Sequence, residues 1–219
     1  MESQGTPLLF GMLCIPKSNG VPFASPKARA YPFSMRIREL RESDLASVKD
    51  FTDTTIGKNY FNLAELEECY AKSLLDGVMC SFVLVDGDEK IFGFRLAYPP
   101  GTWSKGKGSV LRADLWKVPL EKVAYFQSLF LATEAQGHGW GPLLSDAAIS
   151  AFRKLGAQAI VTHAWKESPN NSSIRYLSKF GFESVATHPE YWIDVDYVCV
   201  RDGNPCRCTA EEMIKYLEG

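Results

Sequence analysis

From Arg36 onward, apolar runs with strand character take turns with apolar positions at helical spacing, the pattern of a mixed α/β layer protein rather than a bundle or a sandwich. Residues 35–40 read as a short strand. Ser43 can cap a helix running to about Ile56, and Leu63, Leu66, Tyr70 and Leu74 place a second helix over 63–75. Residues 81–85 and 91–98 are apolar β-formers joined by Asp86-Gly87-Asp88-Glu89, a hairpin signature. Residues 123–131, rich in aromatic and apolar β-formers, predict a central strand buried on at least one face. After Gly141, Leu143, Ala147, Ala151 and Leu155 form one helical stripe, flanked by Leu144, Ala148 and Phe152 and stopped by Gly156. A strand over 159–164, a helix over 171–180 ended by Gly181, and a closing strand pair over 182–187 and 191–200 follow. Thr209 and Glu212 have the spacing of a capping box, which predicts a short C-terminal helix.

The first 34 residues break this pattern. They hold a single acid, Glu2, and much Ser, Pro and Gly, so 1–34 reads as a flexible N-terminal extension or leader and Met35 as an alternative start of one domain over 35–219. With 219 residues, 46% of them hydrophobic and 23% charged, the chain has the balance of an ordinary globular domain. A net charge of -2 and a pI near 6.0 argue against generic nucleic-acid binding, which draws on a basic field. The apolar stretch from Leu8 to Ile15 is broken by Gly11 and has no basic segment before it, so neither a membrane span nor a secretory signal is expected and the location reads as cytoplasmic.

Six cysteines stand at 14, 69, 80, 199, 206 and 208, without the short paired spacings of a disulfide framework. Cys206-x-Cys208, with Cys199 and His188 nearby, is the one arrangement that approaches a metal set. Structural zinc sites normally use two C-x-x-C pairs, so no metal is expected. Gly101 to Lys107 fits the first seven positions of a phosphate-binding loop, but Gly108 stands where a hydroxyl is needed for magnesium. The stretch 99–118 therefore reads as a flexible loop near a substrate mouth. Trp103, Trp116, Trp165 and Trp192 are candidates for core packing or for an aromatic wall.

The chemistry-bearing segment follows the central strand. Gln136-Gly137-His138-Gly139-Trp140-Gly141 leads directly into the amphipathic helix. A helix N-terminus offers unpaired N–H groups and partial positive charge, and glycines let a pyrophosphate approach the backbone. The alternative is a tight strand-to-helix turn. The segment resembles motif A of the GCN5-related N-acetyltransferases, Q/R-x-x-G-x-G/A. The run from Asn170 to Phe182 resembles the later N-x-x-A/S-I…G-F segment of that family, and the order of elements over 36–201 is similar as well.

The resemblance implies a GNAT-type acyl-CoA N-acyltransferase fold of the α/β (α+β) class, with a mixed central sheet of about six to seven strands flanked by helices. It implies acetyl-CoA as co-substrate. Gln136, Gly137, His138, Gly139, Trp140 and Gly141 would form the pyrophosphate seat, Leu129 and Leu131 would pair with pantetheine along a strand edge, and Asn170 and Ser173 would meet the arm and the thiol end. Asn170 also suits a helix cap. The implied reaction is direct attack of a primary amine, from a small molecule or a peptide, on the thioester in a ternary complex. The position where relatives place a basic glutamate falls at Tyr125, with Gln127 next on that face; Glu167 and His163 are the other candidate bases. The family's acid tyrosine falls at Leu177, and Tyr176, one residue earlier, is the candidate acid. His138 departs from the Lys or Arg of many relatives. A catalytically degenerate CoA-binding regulatory or interaction module is the alternative, and the assembly is expected to be a monomer or a homodimer.

Overall fold

The computed structural model describes residues 34–104, 111–195, 198–199 and 201–218. The N-terminal extension and the centre of the glycine-rich loop at 105–110 lie outside the described residues. Among the described residues nine strands and four α-helices run in the order β1 (Arg36–Glu39), α1 (Leu45–Thr55), α2 (Leu63–Lys72), β2 (Leu74–Leu75), β3 (Val78–Met79), β4 (Phe82–Val85), β5 (Ile91–Tyr98), β6 (Val123–Leu131), α3 (Trp140–Lys154), β7 (Ala159–Trp165), α4 (Ser172–Lys179), β8 (Glu183–His188) and β9 (Ala210–Tyr216). Seven strands form one mixed sheet in the order β1-β4-β5-β6-β7-β9-β8, and β2 with β3 makes a separate hairpin. Among the described residues no helix is long and apolar enough to cross a membrane.

The helices cover both faces. Leu45, Val48, Phe51 and Leu66 of α1 and α2 share a core with Phe94, Phe130 and Val161 of the sheet. On the other face Ala148, Phe152 and Leu177 of α3 and α4 pack on Phe126, Ile160 and Met213. The predicted stripe of α3 is turned by about one residue: Leu144, Ala148 and Phe152 are fully buried, whereas Leu143 is 50% exposed. The helix is apolar over so much of its girth that spacing alone leaves its phase open.

Local signals at helix starts also shift. Asp44 rather than Ser43 closes the entry to α1, its carboxylate accepting from the Arg41 amide at 2.8 Å and taking both Arg38 guanidinium nitrogens at 2.7 and 2.8 Å. At α2, Asn62 and Glu65 form a reciprocal capping box, with amide-to-side-chain distances of 2.8 and 2.9 Å. α2 ends at Lys72, and Leu74–Leu75 turns into β2 rather than continuing the helix. The 86–90 turn is held as expected, Asp86 Oδ1 accepting from the amides of Asp88 and Lys90 at 3.0 Å each.

Two expectations at the C-terminus are corrected. Residues 210–216 are a strand rather than a helix, and β8 pairs antiparallel with this β9 rather than with the 191–200 segment. A capping box contributes about 1 kcal/mol. As a strand, the segment instead buries Met213 and Ile214, worth about 1.5–3 kcal/mol each, and joins a ladder from Ala159↔Tyr216 to Trp165↔Ala210. Burial and pairing outweigh the cap.

Between β6 and β7 the sheet opens. The two strands pair in parallel only over Val123↔Ala159, Ala124↔Ile160 and Tyr125↔Val161. Just beyond them Thr162 Oγ1 donates to the Phe126 carbonyl at 3.0 Å. On its other edge β6 pairs with β5 throughout, with a bulge at Gln127 where the register shifts from Leu96↔Ser128 to Ala97↔Phe126.

Candidate active site

The gap between β6 and β7 collects the sequence-predicted binding residues. The amide of Ala132 donates to Phe92 on the β5 side at 2.8 Å, so alternation along β6 turns the amides of Leu131 and Leu129 toward the gap. Gln136 stands at the foot of the slot and donates its side-chain amide to the Leu131 carbonyl at 3.0 Å.

Above it α3 begins without a capping side chain and with no acid in its first turn. The helical ladder starts at Leu143, which donates to Gly139 at 3.3 Å, so the Trp140 and Gly141 amides precede the first intrahelical bond. Gly137 and Gly139 hold φ of +76° and +86°, and no heavy atom lies within 4 Å of where a Cβ would stand on either. These positive φ values are what glycine adopts without strain. Gly141 has the other role: a Cβ there would sit 3.5 Å from Leu129, 3.6 Å from Leu131 and 3.8 Å from Tyr176. Close approach of helix to strand uses this glycine, and an open, acid-free cradle of amides is left by the other two. Among the described residues the buried indole N–H of Trp140 and the buried hydroxyl of Ser173 have no hydrogen-bond partner, polar atoms that an incoming ligand with amide or phosphate groups would satisfy. The residues present therefore fit a CoA-type ligand. His138 is exposed on the same turn.

α4 starts differently from the expectation for Asn170. Asn170 and Asn171 adopt left-handed backbone, neither side chain caps the helix, and the Ser168 hydroxyl accepts from the Ser173 amide at 3.1 Å instead. The Asn170 side chain is left exposed at the mouth. Leu177, in the family's acid register, is fully buried in the α3–α4 core. Tyr176 turns its hydroxyl to Ser145 on α3 at 2.8 Å, and Ser145 accepts from Arg95 at 2.7 Å. Burial pushes the Tyr176 phenol up, against the pull of Arg95 and Ser145.

A second cluster of titratable side chains lies at the end of β7. His163 Nδ1 is 3.1 Å from the Tyr125 hydroxyl, and His163 Nε2 is 3.6 Å from Glu212 Oε2 on β9. The same carboxylate oxygen lies 2.8 Å from His188 Nε2 at the end of β8, while Trp116 donates to Oε1 at 2.7 Å and the Arg112 amide reaches both oxygens at 3.1 and 3.3 Å. Tyr191 stacks on His163 at 4.5 Å, and Trp103 lies 4.8 Å from the Tyr125 ring. Trp103 and Trp116 thus pack against this group, and all four tryptophans belong to the same buried core. Burial alone would raise the Glu212 carboxyl; hydrogen bonds from His163, His188 and Trp116 outweigh it and hold the group down to about 2. Burial, with the Glu212 charge, pushes the Tyr125 phenol upward, so it stays protonated.

The depressed Glu212 value has a consequence for acid stability. A carboxyl at about 2 in the fold against an ordinary 4.5 contributes stability that is complete above 4.5 and lost as pH falls toward 2. Acid titration followed by tryptophan fluorescence is expected to show destabilisation across that window, and a Glu212→Gln variant to be less stable at neutral pH with a flatter response below 4.5. Parallel profiles for the two proteins would show that Glu212 does not carry this dependence.

Glu167, a candidate base, is engaged elsewhere: both its oxygens accept from the Thr209 amide at 3.0 and 3.2 Å, and Arg201 lies 3.4 Å away. It ties the end of β7 to the approach of β9. Glu212 and His188 escaped the sequence reading as site residues, Glu212 because its spacing from Thr209 matched a helix cap. The alternation of buried Ala210 and Glu212 was the signal available for a strand.

No curated protein matches the chain by sequence. Solved structures do. Ard1 from Thermoplasma volcanium is 18% identical with a TM-score of 0.60, covering 84% of this chain and 99% of that one. The ribosomal-protein-S18-alanine N-acetyltransferase from Escherichia coli is 15% identical with a TM-score of 0.59, covering 85% and 97%. A chain of the NatC complex bound to Gag peptide and CoA is 17% identical with a TM-score of 0.57, covering 84% and 99%. The profile of the Acetyltransferase (GNAT) family matches residues 46–182, from α1 through the splayed strands and the glycine turn to the end of α4. A sheet parted beside an uncapped, glycine-led helix and a sequence profile spanning both thus point the same way, and the chain belongs to the GNAT acetyltransferase family.

Proposed function

We propose that this chain is an N-acetyltransferase that moves an acetyl group from acetyl-CoA to a primary amine of a small molecule or a peptide, in one ternary complex. The observation that carries the reading is the pairing of two half-sites across the β6–β7 gap: an amide cradle on the α3 side and a buried Tyr125–His163–Glu212 chain on the other.

The α3 cradle, with the amides of Trp140 and Gly141, would hold the pyrophosphate, the β6 edge at Leu129 and Leu131 the pantetheine, and Trp140 and Ser173 would contribute the polar side-chain atoms. Acetyl-CoA supplies an acyl carbon activated by a thiolate leaving group. The chain's own work is proton removal. A primary amine has a pKa near 10, so nearly all of it is protonated at neutral pH. Tyr125 receives the amine proton on its oxygen as its own passes to His163 Nδ1, and the imidazolium so formed faces the Glu212 carboxylate. The freed lone pair forms the new C–N bond as the C–S bond breaks with its electron pair leaving on the CoA sulfur, and the second proton of the attacking nitrogen passes to that thiolate to give the free thiol. His188, Trp116 and the Arg112 amide hold Glu212 ionised and in place. Tyr176, turned to Ser145, serves the packing of α3 on the slot rather than proton transfer.

Release of free thiol from acetyl-CoA, followed across a panel of polyamines, amino acids and N-terminal peptides, tests the reading. Steady release with at least one amine and its acetylated product in the mass spectrum is expected. Binding of acetyl-CoA without release on any amine would favour the degenerate binding module.

A further inference from the structure

Between β8 and β9, Cys199, Asp202, Cys206 and Cys208 converge. One ligand atom from each lies within 4.8 Å of all the others. Cys199 Sγ is 3.6 Å from Cys208 Sγ, and Cys208 Sγ is 3.3 Å from Asp202 Oδ2. A tetrahedral zinc ion with Zn–S bonds of about 2.3 Å holds its sulfurs about 3.8 Å apart, so the side chains already stand at the spacing that such an ion imposes. All three cysteines are buried, and among the described residues no disulfide joins them.

The backbone of the turn gives a second, independent indication. Cys199 and Gly203 exchange amide hydrogen bonds at 2.9 Å in both directions, and Gly203 takes a φ of +78°. The turn so formed directs the amides of Arg201 and Asp202 onto the Cys199 sulfur. N–H groups gathered on one sulfur suit a thiolate that ligates a metal rather than a thiol used as apolar packing. The Arg207 amide, donating to Asp202 Oδ2 at 3.2 Å, fixes the carboxylate beside the sulfurs. His188, the imidazole that the sequence places near this group, is bonded to Glu212 instead.

We propose that Cys199, Asp202, Cys206 and Cys208 form a structural zinc site. In the spacing C-x-x-D-G-x-x-C-x-C the three cysteines stand out in the sequence, but Asp202 does not, because it stands where a second C-x-x-C cysteine would and only folding brings it to the sulfurs. The site ties the acceptor side of the domain together. The Tyr191 amide, beside the ring that stacks on His163, donates to the Cys208 carbonyl at 3.1 Å, and Cys208 lies two residues before β9, which carries Glu212. Thiol protons are released as the metal enters.

The full chain, purified with reductant and without chelator, is expected to carry one zinc by plasma mass spectrometry. Exchange for cobalt should give thiolate charge-transfer absorption and the intense visible bands of a tetrahedral ion. Cys206→Ser and Cys208→Ser should lose the metal while Cys80→Ala keeps it. Should the serine variants fail to fold, Asp202→Asn, at an exposed position, gives the same information: altered cobalt bands and zinc affinity weakened by about 10- to 100-fold in a chelator competition. Stripping the zinc should lower Tm by about 5 °C or more. A reduced chain that takes up neither zinc nor cobalt, iron in place of zinc, a Cys199–Cys208 disulfide in the purified protein, or zinc retained by the Cys206→Ser, Cys208→Ser double variant would each overturn the proposal, the last by pointing to His163, His188 and Glu212 as the holder.

Discussion

Replacing His163 by Gln is expected to lower kcat by about two to four orders of magnitude, the usual worth of a positioned proton acceptor, with little change in the affinity for acetyl-CoA. Glutamine keeps a hydrogen-bonding group beside Tyr125 and Glu212 but cannot take up a proton, so packing under Tyr191 persists while the route for the amine proton is cut. A particular pH profile should result. With no acceptor in the protein, the rate depends on the fraction of amine already free, which rises tenfold per pH unit below the amine's own pKa of about 10. The variant should regain activity steadily toward alkaline pH, whereas the parent levels off earlier. Retention of kcat within about tenfold of the parent at neutral pH, a loss of less than about 1.4 kcal/mol of barrier lowering, would remove His163 from the proton path.

Gly139→Glu is expected to weaken acetyl-CoA binding by at least about 100-fold, or about 2.7 kcal/mol, in a calorimetric titration. The backbone at +86° costs a non-glycine residue about 1–2 kcal/mol. No neighbouring atom opposes a Cβ there, and a carboxylate at a helix N-terminus returns about 0.3–1 kcal/mol. The fold should therefore survive, as circular dichroism would show. The carboxylate would occupy the amides that the phosphates need and repel them. Gly139→Ala, carrying the strain without the charge, separates the two effects and should bind within about tenfold of the parent. Undiminished binding by Gly139→Glu would place the cofactor elsewhere, and the β6–β7 gap would then need another occupant.

How much of this was legible before folding depends on the range of the interaction that decides each element. β6 was read with its observed bounds, because a long run of aromatic and apolar β-formers admits few alternatives, and the glycine turn into α3 was read because local backbone chemistry dictates it. The phase of α3 was not, since Leu143 and Leu144 are equally apolar and only the sheet beneath selects Leu144. β9 was misread for the opposite reason. Thr209 and Glu212 carry a strong local helix signal, overridden by partners on β7 and β8. That error also hid Glu212, whose role comes from His163, Trp116 and His188, none of them near it in sequence. Tyr125 was singled out by the position of the family's glutamate and His163 by residue type, but their contact across the parting strands could not be read.

The sheet order has a last implication, for synthesis. β9 lies between β7 and β8, and among the described residues β8 has no neighbour in the sheet except β9. A chain emerging from the ribosome can assemble β1 through β7 with all four helices as they appear, but β8 must wait, made and unpaired, until residues 210–216 arrive. The Glu212 carboxylate beside His163 arrives with them, so the glycine turn into α3 can be shaped well before the Tyr125–His163–Glu212 cluster is complete.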